Sequence, residues 1–188
     1  ENDTIDEVTL ELPVSVAANA NLLTADERGL EAFPLETTVR ILQLAPDASM
    51  VEEAGRQEPR RLSERNDGWM LIQDDTAGVM VSVRDAWQQF PKALLADPAG
   101  TLTVKLWPAE AGTLNLETGP EAHGPDEYAR GSAFGLAKTH ELTIGFLGMP
   151  VGPETAFGLA GLWQQPWLLA ADPAWVHATD VLGPMAPS

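Results

Sequence analysis

The chain of 188 residues carries 28 acidic against 11 basic side chains, a formal charge of −17, and a field of that sign repels phosphate backbones, which argues against nucleic acid as a partner. It contains no cysteine, which removes a disulfide framework and any thiolate metal site but does not fix a compartment. With 44% hydrophobic residues and no apolar run of about 18 residues, one globular domain is expected and a membrane-spanning helix or membrane partner is not.

The opening ENDTIDE is acidic and polar and does not read as a signal peptide. Period-two alternation then recurs along the chain. Residues 5–13 (IDEVTLELP) place Val8, Leu10 and Leu12 on one face, and residues 37–44 (TTVRILQL) do the same with Val39, Ile41 and Gln43. Both patterns suit half-buried antiparallel strands. The apolar signal nearly vanishes over 52–68 (EEAGRQEPRRLSERNDG), which reads as a long loop or an extended hairpin connection. Its arginines Arg56, Arg60, Arg61 and Arg65 reverse the local charge. They could hold a carboxylate or sulfate, but pairing with Glu52, Glu53, Glu58 and Glu64 is the more ordinary role.

Residues 69–73 and 79–85 flank DDTAG and read as a β-hairpin. In RDAWQQFPKALLADPAG, Pro91 forbids a continuous helix, so a bend into another extended segment is expected. Residues 101–107 (TLTVKLW) alternate again, with Leu102, Val104 and Leu106 on the buried face. Pro108 ends that ladder.

Residues 119–131 are a loop by composition and carry His123 and the single tyrosine, Tyr128. Residues 135–146 (GLAKTHELTIGF) read as a strand whose parity places Lys138 and His140 with Leu142, Ile144 and Phe146. His140 is then either a core histidine bonded to a carbonyl or carboxylate, or one end of a cleft in which burial tunes it and Lys138. A short helix is expected over 153–162, with proline at its start and Glu154 near the positive end of its dipole. Residues 163–188 read as a tail leading toward a further C-terminal domain, in which Trp163, Trp167 and Trp175 serve packing. Together these elements predict a mainly β protein: one antiparallel β-sandwich of about seven to ten strands spanning 1–188, with long loops and at most one or two short helices.

No nucleophile elbow, P-loop, dinucleotide fingerprint or H-E-x-x-H motif is present. Trp87 and Trp107, with Arg84 and Lys105, could form an aromatic platform for a sugar ring, although core packing or a domain contact is the commoner role of tryptophan. Tyr128 is a further candidate for contact with a saccharide.

Three segments in order, VSVRDAWQQFPKAL (81–94), LTVKLWP (102–108) and GLAKTHELTIGF (135–146), resemble the rhamnogalacturonan exolyase family, the PcRGLX/YetA-like proteins. There, a similar order joins an R-D-x-W-Q-Q-F-P-K-A-like segment, a strand ending in L-W-P and a G-x-A-K/R-T-H-E-L segment. The likeness covers about residues 70–146 and implies the central β-sandwich of a modular protein. The family's helical toroid has no counterpart here, so the chain by itself is expected to lack lyase activity. The implied reaction is β-elimination in a pectic polysaccharide. A cation neutralises the uronate carboxylate, a base removes the C5 proton and an acid protonates the departing oxygen. Residue chemistry suits Arg84 to neutralisation and His140 or Lys138 to proton transfer. No cofactor is called for, calcium being left open. The implied partners are a pectic polysaccharide and neighbouring domains, with an extracellular or periplasmic setting favoured over the cytoplasm. The alternatives are a stand-alone carbohydrate-binding module and a purely structural interdomain domain.

Overall fold

The computed structural model describes residues 4–17, 19–115, 137–165, 171–179 and 183. Within them the alternating segments form β1 (Thr4–Ile5), β2 (Val8–Pro13), β3 (Asn21–Asp26), β4 (Gly29–Pro34), β5 (Val39–Ala45), β6 (Ala48–Glu53), β7 (Arg61–Ser63), β8 (Asn66–Gln73), β9 (Gly78–Val83), β10 (Lys92–Ala96), β11 (Thr101–Trp107), β12 (Leu114–Asn115) and β13 (Leu142–Leu147). A six-stranded sheet runs β2-β11-β10-β5-β6-β7, and a five-stranded sheet runs β13-β9-β8-β3-β4. All their pairings are antiparallel. The two sheets face each other as a β-sandwich, and β1 and β12 pair outside it. Thirteen strands stand among the described residues against the seven to ten expected: β1 and β12 are two-residue strands outside the sandwich, and β7 lies in the polar stretch 52–68, which also supplies the start of β8.

The inner layer is built by the residues that alternation selects. Leu22, Met70, Ile72, Val81 and Val83 come from the five-stranded sheet, and Val39, Ile41, Leu94, Leu102 and Val104 from the other. Strands β3, β8 and β9 are buried on their second face as well, because helix α1 (Pro153–Gln164) lies across it. Leu23, Trp69, Leu71 and Met80 there meet Ala156 and Ala160 of the helix. Small helix residues permit a close approach, and a strand buried on both faces reads as a nearly continuous apolar run, as WMLI and VMV do.

The expected helix is therefore present and two residues longer than read. Trp163 belongs to it and not to a tail: the indole lies over β13 so closely that a Cβ at Gly145 would stand 2.3 Å from its Cη2. A second helix, α2 (Pro173–Thr179), carries Trp175, which is exposed; Trp167 lies outside the described residues. None of the described helices is long and apolar enough to cross a membrane. Strand β13 is an edge strand whose Phe146 is 78% exposed.

One end of the inner layer is polar. Gln43 is fully buried; its Nε2 donates to Ala45 O at 2.6 Å and Glu64 O at 2.9 Å. Its Oε1 accepts from both Asn66 N and Asn66 Nδ2 at 3.0 Å. Its place on the inner face follows parity, and the network is what makes a buried amide tolerable there. Gln43→Leu strands two donors and two acceptors and is expected to lower stability by about 2–4 kcal/mol. Urea denaturation checks this, and a loss below about 1 kcal/mol would show that the network contributes little.

Candidate functional site

The polar end of the sandwich gathers the functional candidates. After Val83 the chain leaves β9, with Asp85 in the left-handed region at φ 54°, and residues 84–91 cross from the five-stranded sheet to the six-stranded one. Ala86 of this crossing plugs the end of the inner core. The Phe90–Pro91 peptide is cis, and Lys92 then begins β10, its Cα paired with that of Gln43.

Lys92 has the parity of Leu94 and Ala96, so alternation directs it inward, and it is 3% exposed. Its Nζ donates to Pro91 O at 2.9 Å and to Gln89 O. Both acceptors are neutral carbonyls, and no carboxylate among the described residues pairs with it. Burial, and secondarily the charge of Lys138, lowers its pKa to about 8.

The Lys-Thr-His-Glu segment reaches the same end from the other sheet. The strand expected over 135–146 is shorter than read: β13 begins at Leu142, opposite Val83. Residues 137–141 have no regular structure, and 135 and 136 lie outside the described residues. The physical reason is that β9 turns away after Val83 and offers no further partner. A last backbone bond, from Arg84 N to Glu141 O at 3.0 Å, closes the pairing. His140 is half-buried, with its Nδ1 inaccessible and without a hydrogen-bond partner among the described residues, and Lys138 is exposed. Burial first, then the charges of Lys92 and Lys138, lower the pKa of His140, which favours the neutral imidazole.

The structure thus brings Lys138 and His140 together with Lys92. Arg84 is engaged otherwise: its Nη1 donates to Glu141 Oε2 at 2.5 Å, with Asp85 also near. Lys105 pairs with Glu7 at 3.1 Å, and Trp107 Nε1 donates to Gly112 O at 2.8 Å. Trp87 lies under Arg65, whose guanidinium carbon is 4.2 Å from the ring centre. The two tryptophans of the expected platform are therefore held by different neighbours. Tyr128 and His123 lie outside the described residues. The other arginines of the 52–68 stretch form ion pairs, Arg56 and Arg60 with Glu53, and Arg60 and Arg61 with Glu31, while Arg61 also reaches Asp26.

Lys92 is the residue that sequence reasoning passed over. Its signal was a lysine two positions before Leu94, at an inward position of a strand, which only a polar cavity or an anion makes favourable. Two ammonium groups beside a neutral imidazole can hold a carboxylate, and the imidazole can accept a proton from a carbon made acidic by that pairing. Among the described residues no three His, Asp or Glu side chains converge in a way that could hold a metal ion. No protein-family model matches this chain, and the curated proteins contain no match to it.

Proposed function

We propose that this chain is the β-sandwich domain of a polysaccharide lyase-like protein acting on rhamnogalacturonan by β-elimination, where it contributes to the cleft that receives the acidic sugar. The observation that carries the reading is the meeting of Lys92, Lys138 and His140 at one end of the sandwich, with no acidic partner for either lysine among the described residues. The segments that supply them are two of those that resemble the exolyase family. In this reading Lys92 and Lys138 neutralise the uronate carboxylate. Neutral His140 takes the C5 proton, the electron pair forms the C4=C5 double bond, and the C4–O bond breaks, its oxygen leaving with a proton from an acid in a neighbouring domain.

The test is titration of the 188-residue chain with rhamnogalacturonan oligosaccharides, followed by tryptophan fluorescence and calorimetry. Binding is expected at neutral pH and is expected to weaken as pH rises through about 8, where Lys92 of the free protein gives up its charge. No unsaturated-uronate absorbance should develop. A flat titration at neutral pH would sink the binding role, and growth of the absorbance would overturn the expectation that this chain alone is inactive. A second reading, a non-catalytic interdomain module, is favoured by the exposed apolar side chains Phe146 and Met149 beside the edge of β13 that has no strand partner among the described residues; a flat titration would support it.

A further inference from the structure

On the other side of the 84–91 crossing lies a cleft of about 330 Å³, between the crossing, the start of β8 and the last turns of α1. Its walls include Asp67, Trp69, Trp87, Gln88, Phe157 and Gln165. That volume is at the small end of the roughly 300–1,000 Å³ typical of small-molecule sites. We infer that this cleft is a second ligand site, built for a neutral polyhydroxylated ring such as one unionised sugar residue.

Three observations support the class of ligand. Trp87 and Phe157 supply apolar ring surface, which complements the C–H face of a sugar. Gln88 and Gln165 can each donate and accept, as a hydroxyl requires. The charge is of the wrong sign for an anion: Asp67 and Asp85 both line the cleft, and Asp26 and Glu27 act on Asp67 from behind. Burial first, then those two carboxylates, raise the pKa of Asp67 from its ordinary value, and its carboxylate oxygens can accept hydrogen bonds from sugar hydroxyls. A cation has little to gain over Trp87, because Arg65 already stacks on that ring.

The walls are also held in place before any ligand arrives. Gln164 Nε2 donates to Ser82 Oγ at 2.7 Å, Val83 O at 2.9 Å and Asp67 O at 3.1 Å, and its Oε1 accepts from Asp85 N at 3.3 Å. One side chain thereby ties helix, strand ends and crossing together, which lowers the ordering cost of binding.

This inference goes beyond the acidic-sugar reading and does not require it, because neutral probes test it without engaging Lys92. The 188-residue chain is mixed with methyl α-rhamnopyranoside, methyl β-galactopyranoside, galacturonate or putrescine, and saturation-transfer NMR and tryptophan fluorescence are recorded. At least one neutral glycoside is expected to bind, with a Kd of about 1–10 mM, and Trp87→Ala and Asp67→Asn are each expected to weaken it about tenfold or more. Asp67→Asn should fold normally, since it replaces a carboxyl whose charge is already disfavoured, and thermal melting confirms that. Failure of both neutral glycosides to bind, tighter binding of putrescine than of either, or unchanged affinity in Asp67→Asn would overturn the inference.

Discussion

Lys92→Met is expected to weaken binding of an acidic oligosaccharide by at least about tenfold at neutral pH and to erase a distinctive rise in stability above pH 8. The side chain is buried against carbonyl oxygens with no carboxylate partner among the described residues. Its folded pKa is about 8 against an ordinary 10.5, burial being the main cause. Below pH 8 both the folded and the unfolded chain keep the proton, and the folded state carries the full cost of a buried charge, about 3 kcal/mol. Between about 8 and 10.5 the folded chain releases the proton while the unfolded chain still holds it, so stability rises with pH. Methionine fills similar volume without charge and removes that rise. Urea denaturation of both chains at several pH values between 7 and 10 measures the difference, in which the titrations common to both cancel. Parallel curves would show that Lys92 is not charged in a buried setting, and the assigned role of the cluster would go with it.

Gly68→Val is expected to destabilise the fold by roughly 3 kcal/mol or more, through backbone strain and overpacking together. Gly68 sits at φ +70°, and a Cβ there would lie 2.4 Å from Ala86 Cβ and 2.7 Å from Val83 O. Neither neighbour can yield easily. Ala86 plugs the inner core and Val83 ends β9. The same change pushes the 84–91 crossing away from β8, so binding of a neutral glycoside should be lost in whatever fraction still folds. The denaturation midpoint is the measurement, and a shift worth less than about 1 kcal/mol would show that the crossing is loosely packed.

Much of the sandwich was legible because its signal is local. TLTVKLW buries Leu102 and Val104 as alternation requires, DDTAG joins two paired strands, and proline before an Ala- and Leu-rich stretch starts α1. In the hairpin, Asp74 shows why the turn forms there. Its Oδ1 accepts from Thr76 N at 2.7 Å and Ala77 N at 3.0 Å, while Oδ2 ties in Ala17 N at 2.9 Å. The hydrogen bonds, that from Thr76 Oγ1 foremost, hold its pKa well below the usual carboxylate range. Errors arose where pairing is decided at a distance. Parity alone extends β13 through Lys138, but a strand lasts only as long as its neighbour, and β9 turns off after Val83.

By itself the sequence established the fold class, the inward faces of most strands and the chemical types worth watching, since each depends on composition or on period-two spacing. Tertiary structure alone decided which of those types meet: it paired Arg84 with Glu141, placed Trp87 under Arg65, and set Lys92 beside Lys138 and His140 from the opposite sheet. The reason is that burial and charge balance are sums over neighbours far apart in the chain. A lysine is an ordinary surface cation until two sheets close over it and no carboxylate follows.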